Sequence, residues 1–150
     1  MTKAAFSILS LVLLFSCAST KNTSNASNSA LRFEKTACFG TCPEFVLEVK
    51  NDGNAQLSVS RNLELDSGLY TCANCDKKQL EVLLKKAQKI GFSDFKSKYD
   101  PGVVDLPSII TRINGQKVIN ILDGPLSLTE FEKQINEAYI NQGIWEKIVK

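Results

Sequence analysis

The chain has 150 residues, with 18 basic and 16 acidic side chains and a formal net charge of +2. This near balance does not favour nucleic-acid binding, which needs a strongly basic surface. The absence of histidine excludes Ser-His-Asp and Cys-His catalysis and His-ligated zinc or copper sites. No cofactor is predicted.

The first 16 residues are predicted to be a signal peptide. Lys3 supplies a positive charge, and residues 4–15 form an apolar run too short to cross a membrane as a helix. The run continues into the letters LFSC, which resemble the bacterial lipobox and end at Cys17. The resemblance implies cleavage before Cys17 and lipid on its sulfur, which anchors the chain to a membrane. Because Ala18 is not an aspartate, we expect the outer membrane of a Gram-negative cell envelope.

Two further regions follow the signal peptide. Residues 17–30 contain the lipidated cysteine and the tether ASTKNTSNASNSA, which has too few apolar side chains to offset the entropy lost on folding. Residues 31–150 are predicted to form one domain, which is long enough to bury a core.

The first half of the domain is predicted to contain four strands. Apolar and polar residues alternate over residues 31–36 and again over 44–50, where the letters are EFVLEVK. The Asp-Gly turn at residues 51–54 joins the second strand to a third over 55–61. A fourth strand is predicted over 63–70.

The second half is predicted to contain two helices and a hairpin. One apolar stripe predicts a helix over residues 76–90, which ends at Gly91. The Asn114-Gly115 turn predicts a hairpin of strands 108–113 and 116–121. Ser127 and Glu130 match a capping box for a helix that runs to about Asn141, and a short closing segment follows. Residues 92–106 show no periodicity.

These elements follow the order ββββ-α-ββ-α. Hairpin connections imply neighbouring antiparallel strands, and each helix has one apolar stripe to bury. The predicted fold class is therefore α+β, an antiparallel β-sheet with two helices packed on one face.

Four cysteines besides Cys17 lie at two closely spaced places in the sequence, Cys38 and Cys42 at one and Cys72 and Cys75 at the other. They permit three disulfide pairings, among which the sequence does not choose. In an oxidising envelope, structural disulfides are the first interpretation. Thiol-disulfide exchange or metal binding by the same residues are the alternatives.

Both cysteine pairs are similar to known motifs. The CANC letters before a predicted helix, with Pro107 downstream, are similar to the second half of a thioredoxin domain, but a helix and a loop replace the expected strand and second helix. The letters CFGTCP look like the copper motif of the Sco assembly proteins. Those proteins need a histidine ligand, which this chain lacks.

The letters CFGTCPEFVLEVKNDGNAQLSV, with the downstream helix and the Asn-Gly hairpin, resemble domain-of-unknown-function family 6438. That family consists of uncharacterised bacterial envelope proteins, many of them lipoproteins, with a C-x-G-x-C-P motif. The resemblance places Cys38, Gly40, Cys42, Pro43 and Asp105 on motif positions. It implies a fold and a compartment, and no activity.

Two loops are candidate ligand sites. One contains Gly40 and Pro43, and the other contains Tyr99, Asp100 and Asp105. With no catalytic constellation apparent, we expect a non-catalytic envelope module that binds a protein, a glycan or a small molecule. The alternatives are a thiol-disulfide or metal-handling protein that uses its cysteine pairs, and a carboxylate-based hydrolase.

Overall fold

A computed structural model of the chain describes residues 29–149. The predicted signal peptide, Cys17 and tether residues 18–28 lie outside the described residues, as does Lys150. Within residues 29–149, no helix is both long and apolar enough to cross a membrane.

Eight strands and two α-helices make up the described part of the chain. In chain order they are β1 (Ser29–Lys35), β2 (Glu44–Lys50), β3 (Ala55–Arg61), β4 (Gly68–Cys72), α1 (Lys77–Lys89), β5 (Lys98–Tyr99), β6 (Ile109–Ile113), β7 (Gln116–Asn120), α2 (Leu126–Ile135) and β8 (Trp145–Lys147). A 3₁₀ turn, Phe92–Asp94, follows α1, and a π-helical segment, Asn136–Asn141, continues α2.

All eight strands form one sheet in the order β5-β7-β6-β1-β2-β3-β4-β8. Every neighbouring pair is antiparallel except β5 with β7. The predicted α+β class, with its antiparallel sheet, is confirmed. β1 and β7 end on the side of the sheet on which β2, β4 and β6 begin. We call these strand ends the Lys35 end of the sheet, and the opposite strand ends, where β1 begins, the Ser29 end.

One face of the sheet and the two helices enclose the core. In β1, β2 and β3 alternate residues are buried, as the period of a strand requires. The buried strand residues are Leu31, Phe33, Phe45, Leu47, Val49, Ala55, Leu57 and Val59. The helices contribute their predicted stripes, Leu80, Leu83, Ala87, Leu128, Phe131, Ile135 and Tyr139. On the other face, Arg32 forms ion pairs with Glu34 and Glu48.

The fourth strand begins five residues later than predicted, at Gly68. Asn62 adopts a left-handed φ of 56° directly after β3, which ends that strand and starts a loop. Leu63 and Leu65 still pack on the core from this loop. The alternating burial in this loop therefore resembles that of a strand. The Tyr70 hydroxyl donates a hydrogen bond to the Asp66 carbonyl at 2.8 Å, which holds the loop to β4.

The predicted capping box of the second helix is wrong. α2 begins at Leu126, so Ser127 lies inside its first turn. The N-cap is Pro125, whose carbonyl accepts hydrogen bonds from the backbone N–H groups of Leu128 and Thr129 at 2.9 and 3.1 Å. The short strand β5 was also not predicted, because two residues are too few for a periodic signal.

Candidate functional site

The connection from β1 to β2 is a small loop at the Lys35 end of the sheet. A disulfide between Cys38 and Cys42 closes it, with Cα atoms 5.7 Å apart. Asn62 holds the loop against the end of β3 by donating its side-chain amide to the Cys42 carbonyl at 3.1 Å. At the tip, the side chain of Phe39 is 95% exposed and Gly40 has a φ of 153°. The disulfide thus presents an aromatic side chain to solvent on a constrained loop.

A cleft of about 630 Å³ opens beside this loop. That volume is within the range of small-molecule sites, about 300–1,000 Å³. Its walls come from the ends of β1 and β2, the loop after β3, and the chain that follows α2. The apolar lining residues are Pro43, Phe45, Leu63, Leu65, Ile140 and Trp145. The polar lining side chains are Lys35, Asn62, Glu64, Asn136 and Asn141.

Lys35 is the cationic side chain of the cleft. It occupies a core-facing position of β1, two residues after the buried Phe33, and its register partners are Phe45 and Ile109. Its Nζ lies 5.9 Å from the centre of the Phe45 ring, and no carboxylate of residues 29–149 forms an ion pair with it. Burial lowers the pKa of the Lys35 ammonium, and the charge of Glu132 partly opposes this shift.

Glu132 is a buried carboxyl group on α2. Its residue is 1% exposed, and its oxygens accept hydrogen bonds from Asn120 Nδ2 at 2.7 Å and Thr111 Oγ1 at 3.4 Å. Asn120 in turn accepts the Gly124 N–H at 3.1 Å. Burial raises the pKa of Glu132 to about 7, against the lowering effect of these hydrogen bonds and of Lys35. Through these hydrogen bonds, the Glu132 carboxyl group connects α2 to β6 and β7.

Another wall of the cleft is the π-helical segment after α2, Asn136–Asn141. Within it, Asn141 donates its side-chain amide to Glu137 Oε2 at 2.6 Å and accepts that of Asn136 at 3.3 Å. The Trp145 indole N–H donates to the Tyr139 carbonyl at 3.1 Å, which fixes the ring at the cleft. π-helical turns often occur at functional sites, and this one places two amide side chains in the cleft.

Residues 29–139 match the family described as Domain of unknown function (DUF6438). The chain belongs to the DUF6438 family. No curated protein and no solved structure shows a significant match to the chain. The predicted family is thereby confirmed, and the matched residues include the disulfide loop, Lys35 and Phe45 of this DUF6438 domain, whereas Trp145 lies after them.

The second cysteine pair of the DUF6438 domain lies at the Ser29 end. Cys72 is the last residue of β4 and forms a disulfide with Cys75, one residue before the N-cap of α1. Asn74 fixes the turn by donating to the Gln142 carbonyl at 3.0 Å and accepting the Ile144 N–H at 2.7 Å. The two disulfides therefore lie at opposite ends of the sheet, which does not suit one zinc site built from four thiolates. No cluster of three or more metal-ligating side chains occurs within residues 29–149.

The second predicted ligand loop does not join the cleft. Tyr99 packs edge-on against Phe95 at 6.4 Å between ring centres. Asp100 forms an ion pair with Lys98 at 2.6 Å and accepts the Gly102 N–H, and these interactions lower its pKa. Asp105 is exposed with a φ of 65°. Of the predicted loop residues, only Pro43 lines the cleft.

Sequence reasoning missed Lys35, Glu132 and Trp145. Glu132 had a readable signal, because it follows Leu128 by one helical turn and so falls on the apolar stripe of α2. Lys35 likewise continues the inward alternation of Leu31 and Phe33. The sequence signal for both Lys35 and Glu132 is a charged residue at a position where the period of the strand or helix predicts a core-facing side chain.

Two further clefts are present on the described surface. One, of about 460 Å³, lies between α1 and the turn from β6 to β7. The other, of about 470 Å³, lies between α1 and the helical chain around Ala138. Neither contains a residue of the Cys38–Pro43 motif, so the cleft at Lys35 is the better candidate.

Proposed function

We propose that this chain is a lipid-anchored protein of the bacterial cell envelope, in the outer membrane. We propose further that its domain binds a small molecule without catalysis. The observation that carries the binding role is the cleft of about 630 Å³, with its apolar walls and a half-buried lysine that forms no ion pair within the described range. Mostly apolar concave sites with a few polar groups are typical of ligand-binding proteins.

The N-terminal sequence supports the anchor. The lipobox-like letters end at Cys17, and two or three acyl chains would hold the protein stably at a membrane. The first described strand, β1, begins at Ser29, at the end of the sheet opposite the Cys38–Cys42 loop. A chain anchored through its N-terminus can therefore present the cleft away from the lipid surface.

The polar groups of the cleft support binding over catalysis. Glu132 has a pKa near 7, which suits proton transfer, but its residue is 1% exposed and its oxygens are hydrogen-bonded. Asp100 and Asp105, the carboxylates considered for hydrolysis, do not line the cleft. The lining instead offers one ammonium, one carboxylate and three amides.

Lipidation is tested by growing bacteria that express the full chain with an alkyne analogue of palmitate. We expect the label on the wild-type protein and none on a Cys17→Ser variant. Label retained by Cys17→Ser would refute the anchor.

Binding is tested with the fluorescence of Trp145, which is the one tryptophan of the chain and lines the cleft. The full lipidated protein, in lipid nanodiscs, is titrated with 3-phenylpropionate, its neutral amide and 3-phenylpropylamine, with empty nanodiscs as the blank. We expect at least one probe to change the emission in the millimolar range or below. Leu63→Arg should abolish the change, and Val103→Arg, on an exposed loop outside the cleft, should not. No change with any probe would refute the binding role.

A second candidate is thiol-disulfide exchange at Cys72 and Cys75, which is favoured by their position directly before the N-terminus of α1. In such exchange, two electrons and two protons pass from a partner dithiol to this disulfide, and the partner becomes a disulfide. Thiol alkylation and mass measurement in glutathione buffers test it. Opening of this pair near the glutathione potential would support exchange, and resistance would exclude it.

A further inference from the structure

Two charged side chains line the cleft, Lys35 and Glu64, and neither forms an ion pair with a residue of the described range 29–149. Glu64 is exposed to solvent, whereas Lys35 is partly buried. Glu44, at the start of β2, is paired with Arg61 at 2.9 Å, and on the other sheet face Glu34 is paired with Arg32 at 3.2 Å. Within residues 29–149, the ammonium of Lys35 has no ion-pair partner, and its Nζ lies 5.9 Å from the centre of the Phe45 ring. A partly buried cation without an anionic partner has lost hydration that nothing in the described protein replaces.

Glu132 does not serve as the missing partner. It acts on Lys35 through its charge, but its two oxygens are hydrogen-bonded to Asn120 and Thr111. Burial also favours the neutral form of Glu132, so its negative charge is only partly present near neutral pH. The ammonium of Lys35 is thus available to a group that enters the cleft.

The rest of the cleft defines the body of such a ligand. Phe45, Leu63 and Trp145 offer apolar and aromatic surface in the same cleft as the ammonium. Asn62 and Asn136 add amide groups that can hydrogen-bond to a polar atom. A ligand that matches both features carries one anionic group on an apolar body.

We propose that the cleft binds an amphipathic organic anion, whose oxyanion pairs with Lys35 while its apolar part packs against Phe45 and Trp145. This inference rests on the proposed binding function and specifies its ligand class. A carboxylate is the simplest such oxyanion, and Lys35 supplies up to three N–H donors to it.

The test compares 3-phenylpropionate with 3-phenylpropanamide, which share one shape and differ in charge. Binding to the full lipidated chain in nanodiscs is followed by Trp145 emission. We expect the carboxylate to bind at least tenfold more tightly than the amide. Lys35→Met should remove this preference while the amide affinity stays within about twofold of wild type, and Lys35→Arg should keep the preference.

Lys98→Met is the matched control, because Lys98 lies on β5 outside the cleft and pairs with Asp100. It should leave the preference unchanged. Equal binding of carboxylate and amide, or a preference that survives Lys35→Met, overturns the inference and leaves the binding function standing. Failure of every probe to bind overturns both. Urea unfolding of each variant confirms that it is folded.

Discussion

Glu132 makes the stability of the domain depend on pH. Its pKa is about 7 in the folded protein, against 4.5 for an unperturbed glutamate. The folded state therefore binds a proton more tightly than the unfolded state does. Stability from this group is fully present below pH 4.5 and is lost as the pH rises toward 7. Integrating the difference gives a loss of about 2–3 kcal/mol between pH 5 and pH 8.

Glu132→Gln removes the titration and keeps the shape. A glutamine oxygen can accept from Asn120 Nδ2 as the carboxyl does at 2.7 Å. We expect the variant to be about as stable as wild type at pH 5 and about 2–3 kcal/mol more stable at pH 8. Urea unfolding of the oxidised protein at pH 5, 6, 7 and 8 measures this. Because the chain contains no histidine, few other groups titrate in this interval.

The difference between the two proteins is the decisive quantity, since background titrations cancel in it. Parallel stability curves for wild type and Glu132→Gln over pH 5–8 would refute the assigned pKa and the buried neutral state. A wild-type stability that increases with pH, relative to the variant, would reverse the sign and refute the reasoning altogether.

Three further predictions concern two glycine turns, a buried hydroxyl and a disulfide. Gly115→Ala should lower the free energy of unfolding by about 1–2 kcal/mol, because this position has a φ of 84° and open space around it. Gly53→Ala should lower it clearly more, because the added Cβ would lie 2.2 Å from the α1 backbone. Equal urea midpoints for the two variants would contradict this prediction. Tyr139→Phe should gain about 1 kcal/mol, because the buried hydroxyl has no hydrogen-bond partner among residues 29–149. A lower stability on thermal unfolding would contradict this prediction. Replacing Cys38 and Cys42 with serine should cost about 2 kcal/mol by chain entropy; an unchanged urea midpoint would refute it.

The sequence alone predicted most of the regular elements. β2 and β3 have the predicted bounds, and α1 differs by one residue at each end. These elements are local, because periodic apolar residues and strong turn or cap residues define them without reference to the rest of the chain. The Asp76 cap of α1, which accepts the Gln79 N–H at 2.8 Å, is one such signal.

The starts of two elements, β4 and α2, were not predicted correctly. The loop containing Leu63 and Leu65 alternates like a strand, yet the left-handed turn at Asn62 takes it out of the sheet. A capping-box pattern is present at Ser127, but the turn after β7 starts the helix two residues earlier, with Pro125 as the N-cap. In both cases a turn directly before the segment decides where the element begins, and the local pattern of the segment does not show this.

The sequence by itself determined most of the strand and helix pattern, the resemblance to the family and the exclusion of histidine chemistry. The structure decided that the cysteines pair as Cys38 with Cys42 and Cys72 with Cys75. Only the tertiary structure decided which side chains meet: Lys35 of β1, the Pro43 loop, Asn136 and Trp145 come from four separate segments that line one cleft. The physical reason is that a site is made by long-range packing. Propensity and periodicity act over a few residues and contain no record of which segments will become neighbours.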